Sequence, residues 1–209
     1  MTNGLSGVRS ENKHSYWSLE QVARYVRHQL GYPPGQAIDA LRLFEDLHQI
    51  SITLGDRTEI PLRYGVIRLE DSEGYTRYDQ RKHAIEVLAS ERTYEMLEGR
   101  HPRAAYFVAH ELGHVVLHPD QLVRLARMPA NQQTAFHRGR ADHKPYEDTE
   151  WQANAFAGAL LMPAAGLEAL ENRSGCLTTS LIASRFGVSV EAAGYRLELY
   201  QNRRDQLLR

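Results

Sequence analysis

The stretch Ala104–His118 reads AAYFVAHELGHVVLH. Pro102 suits a first helical turn, and Pro119 ends any helix that reaches it. The segment between them is apolar nearly all round, so the spacing predicts a helix buried inside the protein rather than lying on its surface. Two histidines and a glutamate in such a helix are costly unless something satisfies them. Positions four apart share one face, one turn up, so His110 and His114 point the same way. Glu111 stands beside the first of them. This is the pattern in which two imidazoles hold Zn²⁺, water is acidified and a carboxylate takes its proton. Hydrogen bonds alone are the alternative. They suit a single buried histidine better than this pair with its intervening glutamate. Gly113 costs about 1 kcal/mol relative to alanine in a helix interior, a loss that makes sense if another element packs tightly there.

Composition narrows the chemistry. The chain has 10 histidines and 1 cysteine, so an intramolecular disulfide is excluded and a metal site must be built from His, Asp and Glu. Its 209 residues are enough to bury a core without staples. With 42% hydrophobic residues, 24% charged residues and a formal net charge of -1, the chain reads as globular. That balance argues against a disordered tail or a highly charged nucleic-acid glove. The first residues, MTNGLSGVRSENKH, hold no apolar core of signal-peptide length. No run approaches the ~18 apolar residues of a membrane span. The expected compartment is the cytoplasm. Cys176 is expected to be a small buried residue.

Along the chain, residues 1–15 are polar and expected to be loose. Ser18 and Gln21 have capping-box spacing, with Trp17 and Val22 as a hydrophobic staple, and the helix they open should run to Gly31. A second amphipathic segment covers Ala37–His48. The period then becomes two around Ile50–Leu54 and Tyr64–Leu69, and Tyr75–Tyr78 with Ala84–Leu88 reads as a hairpin. Helices are expected at Glu91–Leu97, from Pro102 to before Pro119, at Thr149–Met162, and at about 178–186 and 189–203, with QLVRLARM as a candidate for one more. Thr178 and Ser189 would cap the last two. The polar stretch 119–149 is long for a connection. It reads equally well as a mobile flap over a cleft or as a surface loop with a short helix.

A hydrolytic zinc site needs a third protein ligand and an open position. His118 is eight residues from His110, ~12 Å along the axis, too far to share the ion. It is expected to bind a carbonyl at the helix end or to line the cleft. Glu150 is the better candidate. It opens EWQANAFAGALLMP (150–163), and Asn154, four residues on, shares its face and can hydrogen-bond the liganding groups. Standing alone, Glu150 would read as an acidic residue favoured in a first helical turn. Such a ligand set suits Zn²⁺, although Mn²⁺ and Fe²⁺ also accept it.

HELGHVVLH at 110–118 followed by EWQANAFAGALLMP at 150–163 resembles the ImmA/IrrE family of zinc metallopeptidases, with LIASRFGVSVEAAGYRLELY at 181–200 similar to the family's closing segment. The likeness runs over roughly residues 18–200 by order of elements. It implies an α+β, zincin-like metallopeptidase: a small, mostly antiparallel sheet, a helix carrying the HExxH motif, and a helical C-terminal part. One domain would span 16–209, with helices and sheet at 16–100, zinc helices at 102–163 and closing helices at 164–209. One Zn²⁺ per chain would sit on His110, His114 and Glu150, with Glu111 as general base. The implied substrate is a DNA-binding transcriptional repressor encoded nearby, whose cleavage switches on a mobile-element or stress programme. The radiation-response members carry an added C-terminal sensor domain, for which this chain is expected to have no room.

The substrate would lie extended along an edge strand of the Tyr75–Leu88 hairpin. His143, Tyr146 and Tyr106 are oxyanion candidates by residue type. The competing reading is a non-catalytic zinc-containing regulatory or DNA-binding partner of a phage or toxin–antitoxin system. Residues 178–200 have helix-turn-helix spacing around Gly187, but the net charge offers no basic excess for phosphate, and such helix pairs are more often core. Glu111 argues for catalysis, since a purely structural site has no need of it. Neither direct nucleic-acid binding nor a membrane is expected, and the oligomeric state is not legible.

Overall fold

The computed structural model describes residues 9–128 and 144–209. Helix α1 (Tyr16–Gln29) is opened by Ser15. The Ser15 hydroxyl accepts from the Ser18 amide at 3.2 Å, and the Ser18 hydroxyl accepts from the Ser15 amide at 2.9 Å. The capping box thus starts three residues before the expected Ser18–Gln21 pair, and Trp17 lies inside the first turn, exposed, rather than stapling it. Helix α2 (Ala40–Asp46), capped by Asp39, runs into a 3-10 turn at Leu47–Gln49.

Four strands follow: β1 (Ser51–Thr53), β2 (Glu59–Ile67), β3 (Gly74–Asp79) and β4 (Ala84–Ser90). Their order is β1-β2-β4-β3. The β1/β2 and β3/β4 pairs are antiparallel, while β2 and β4 run parallel with Leu62 opposite Ile85. The hairpin is as expected, but its second strand inserts between β2 and β3. Strand β4 is therefore buried along its whole length, and β3 is left at the edge. Gly74 (φ +150°) sits where a Cβ would lie 2.1 Å from the Leu88 carbonyl and 2.4 Å from the Phe107 ring. Only glycine lets the strand start this close to its neighbours.

The elements that follow among the described residues are helical: α3 (Glu91–Glu98), α4 (Pro102–Leu117), α5 (Pro119–Arg127), a 3-10 turn (Pro145–Glu147), α6 (Thr149–Leu161), α7 (Ala164–Ser174), α8 (Thr179–Phe186) and α9 (Val190–Leu207). The fold is α+β with a mostly antiparallel sheet and a helical C-terminal part, as expected. QLVRLARM falls largely within α5. Of the rest of the supposed flap, residues 129–143 lie outside the described residues, and 144–149 form the 3-10 turn and lead into α6. Helix α7 was not anticipated. Pro163 stops α6, but its extended backbone (φ -62°, ψ 146°) also caps the next helix, which ends at left-handed Gly175.

Helix α4 packs on α6, and α6 on α1. Val108, Leu112 and Val115 of α4 and Phe156 and Leu160 of α6 are all buried, each worth ~1.5–3 kcal/mol. Helices α8 and α9 turn Ile182, Phe186, Ala193 and Tyr200 into the core. Buried Arg196 on α9 donates to the Met162 carbonyl at 2.8 Å and pairs with Glu20, which also accepts from the Ala164 amide at 2.6 Å. This face of the helix pair is committed to packing. Cys176 is exposed, against expectation. Among the described residues no single helix is long and apolar enough to cross a membrane.

Within the stretch expected to be loose, Arg9–His14 forms a hydrogen-bonded strap. Ser10 donates its amide to the Glu147 carbonyl at 2.7 Å, Arg9 bridges to Asp148, and Glu11 pairs with Arg124 of α5. Lys13 and Arg9 reach the Glu147 carboxylate at 2.8 and 3.2 Å. The bond from Lys13, the Lys144 amide and Arg9 together outweigh burial and hold this carboxyl at about 2.

Candidate metal centre

Helix α4 begins at Pro102, with His101 accepting from the Arg103 amide at 3.2 Å, and ends at His118 before Pro119. Helix α6 is capped by Asp148, whose carboxylate accepts from the Trp151 amide at 3.0 Å. The two helices meet at Gly113. A Cβ there would lie 3.0 Å from the Ala153 Cα and 3.2 Å from the Phe156 ring. This is the tight packing that the glycine in the helix interior predicts. It brings the first turn of α6 against the His110–His114 face.

The imidazoles of His110 and His114 stand edge-on, centroids 4.8 Å apart at 78°. Their Nε2 atoms are 3.1 Å apart. Glu150 faces both, with Oε2 3.2 Å from His110 Nε2 and Oε1 3.2 Å from His114 Nε2. One ligand atom from each of the three residues lies within 4.8 Å of the others. Ligand atoms each ~2.0–2.1 Å from one tetrahedral ion lie roughly 3.4 Å apart, so the donor set and its spacing fit a single cation. The electrostatics agree. Burial opposes charging of His110, yet Glu150, Glu111 and Asn154 prevail and raise its pKa. Burial would likewise raise Glu150, but the two imidazoles hold it well below the carboxylate range. The pocket favours positive charge.

Asn154 lies where the spacing put it, Oδ1 3.1 Å from His110 Nδ1. His118 is outside the three-residue group, as expected from its distance. It lines the cleft, and its ring nitrogens meet His114 Nδ1 at 3.3 Å and the Gln152 side-chain oxygen at 2.8 Å, not a backbone carbonyl. Burial pushes it down to about 4. Glu111 is buried, and its Oε2 accepts from the Thr76 hydroxyl at 2.6 Å.

The group opens into a cleft of about 1050 Å³. One wall is the edge strand β3 with the turn beyond it (Gly74–Arg81), and the other is α5 through Gln121, Leu122, Leu125 and Ala126. The two described oxyanion candidates, Tyr106 and Tyr146, do not line the cleft. The Tyr106 hydroxyl donates to the Asn154 carbonyl at 3.1 Å, and burial pushes its pKa up to about 12. Tyr146 lies under the Lys144 ammonium, 5.8 Å from the ring centroid. Neither tyrosine is among the described residues that line the cleft, and His143 lies outside the described residues.

Thr76 and Gln152 escape a reading of the sequence. Thr76 meets Glu111 only because β3 is folded across α4. Gln152 leaves one signal, a polar residue inside an apolar run, and its complete burial gives that signal meaning.

Residues 97–198 match the family model of the IrrE N-terminal-like domain, Peptidase_M78. The match takes in both the HELGH and the EWQANAFAGALLMP segments and leaves the sheet outside. Curated protein sequences include no match. Among solved structures, a Mycobacterium tuberculosis transcriptional regulator is similar, at 19% identity and a TM-score of 0.49, over 86% of this chain and 46% of that one. The chain thus spans less than half the length of that regulator. Over residues 97–198, just under half of its length, the chain is thus similar to the IrrE N-terminal-like domain, Peptidase_M78.

Proposed function

We propose that this protein is a zinc-dependent endopeptidase, with His110, His114 and Glu150 holding the ion and Glu111 acting as general base. The observation that carries the reading is the convergence of both Nε2 atoms and the Glu150 carboxylate beside Glu111, at the foot of a cleft walled by an edge strand. A cation held there supplies Lewis acidity, polarising a scissile carbonyl and acidifying water.

The protein's own residues do the rest. Among the described residues, strand β3 has its outer edge unpaired in the sheet order, so an extended peptide can add to it through backbone hydrogen bonds. Leu122, Leu125 and Ala126 on the facing wall give its apolar side chains a surface. Thr76 fixes one oxygen of Glu111. The other accepts the proton of the attacking water and returns it to the leaving amine. Asn154 orients His110 from behind. The buried surroundings of α4 keep these groups in place before substrate arrives.

The substrate that best suits the family assignment is a DNA-binding repressor encoded nearby, cleaved in the cytoplasm. The test is Glu111→Gln with that repressor as substrate. Cleavage should fall ~10²–10⁴-fold while zinc, measured by metal analysis, stays bound at one per chain. A variant that cuts as fast as the parent overturns the mechanism.

A further inference from the structure

We infer that Gln152 and His118 are positioning residues. Together with two backbone carbonyls they hold His114 in the tautomer that turns a lone pair toward the metal, and they tie the N-terminal strap into the metal centre. The inference rests on the reading of His114 as a metal ligand.

The Gln152 amide sets the direction of the hydrogen bonds. Its Nε2 donates to the Asn12 carbonyl at 2.7 Å and to the Tyr146 carbonyl at 2.8 Å. A carbonyl can only accept, so the amide cannot be turned the other way round: its oxygen would then face two oxygens. The Gln152 oxygen must therefore point at His118 Nε2, 2.8 Å away, and accept from it. His118 Nε2 then carries the proton. His118 is buried, and its two ring partners are a side-chain amide and another imidazole, neither of which balances a charge, so the ring is neutral and its Nδ1 has a lone pair. That lone pair faces His114 Nδ1 at 3.3 Å, and the bond requires the proton to sit on His114 Nδ1. In a neutral imidazole the lone pair is then on Nε2. This is the atom that faces His110 and Glu150.

Each step follows from donor and acceptor identity, and the first two acceptors are main chain, which has no alternative state. One of them, Asn12, belongs to the strap. The other, Tyr146, also accepts the His14 amide at 3.5 Å. The strap, Gln152, His118 and His114 form one line of hydrogen bonds ending at the metal position. Coupling along such a line is reciprocal, so metal binding should steady the strap as the strap steadies the ligand.

The experiment uses the full chain labelled with ¹⁵N-histidine, with and without zinc. Two-bond ¹H–¹⁵N correlations should show His118 protonated on Nε2 alone in both states, and His114 carrying a proton on Nδ1. A proton on His118 Nδ1 overturns the inference. Zinc affinity, measured by chelator competition, should drop ~10–100-fold in His118→Leu and in Gln152→Met. His118→Gln, which can still accept from His114 and donate to Gln152, should stay close to the parent. Zinc should also slow hydrogen exchange at the Ser10 and His14 amides in the parent and not in Gln152→Met. Parent-like zinc affinity in both His118→Leu and Gln152→Met overturns the inference. If the parent binds no zinc, the ligand reading fails instead, and the His118 tautomer in the metal-free protein still decides the hydrogen-bond line.

Discussion

His110 and His114 sit one turn apart on the same face of the same helix, yet they are anchored differently. His110 is held by a single side chain, Asn154, two turns from the cap of α6. His114 is held by His118, then Gln152, then the carbonyls of Asn12 and Tyr146, which belong to segments remote in sequence. The first anchor is local to two packed helices and exists whenever α4 and α6 are docked. The second is complete only when the N-terminal strap is also in place, because Asn12 supplies one of its two carbonyls. Under the proposed ligand set, a site with one locally held and one remotely held histidine can keep its geometry while answering to a distant segment.

The contrast can be broken from either side. The largest effect is expected for Asn154→Ala, which removes the His110 anchor alone. Zinc affinity should fall ~10–100-fold, while hydrogen exchange at Ser10 and His14 should still respond to zinc, unlike in Gln152→Met. Thr76 belongs to neither anchor. Thr76→Val deletes one hydrogen bond to a buried carboxylate, so repressor cleavage should slow about tenfold, toward the low end of what a bond to a charged group contributes. Zinc affinity should be unchanged, and a fall in affinity would show that Glu111 and the ligands are not separable.

Gly113→Ala tests what both anchors share, the close approach of α4 and α6. The added methyl meets Ala153 backbone at 3.0 Å. Overpacking costs ~1–3 kcal/mol, and the better helix propensity of alanine returns about 1. Denaturant melting should report a net loss of about 1 kcal/mol, together with weaker zinc binding.

The smallest effect concerns the strap alone. Glu147 has its folded pKa lowered to about 2 from an ordinary 4.5. A carboxyl lowered in the folded state adds stability that is complete above the ordinary value and is lost as pH falls toward the folded one. Exchange at the Ser10 amide, relative to a core amide of β4, should therefore rise between about pH 4.5 and 2. No rise would mean that Lys13 and Arg9 do not hold the strap.

Legibility from sequence follows the range of the interaction. The HELGH helix, its proline boundaries, the Glu150 segment and the Thr178 and Ser189 caps were all readable, because periodicity and capping are local. The start of α1 was displaced because Ser15 and Ser18 are chemically alike and only geometry tells cap from N3. Helix α7 was hidden by Pro163, which ends one helix and caps the next. The parallel β2/β4 pairing and the edge position of β3 depend on which strand inserts between the others, and no local pattern records that.

By itself, then, the sequence determined that two histidines and Glu111 share a buried helix, and that Glu150 and Asn154 share the face of another. A fixed number of residues per turn decides this. Only the tertiary structure decided that the two faces meet, that Thr76 holds Glu111, and that His118 and Gln152 lead from His114 to the N-terminal strap. Those contacts join segments between 34 and 140 residues apart, and they form because apolar packing docks the elements, with hydrogen-bond donors and acceptors then leaving one way to pair.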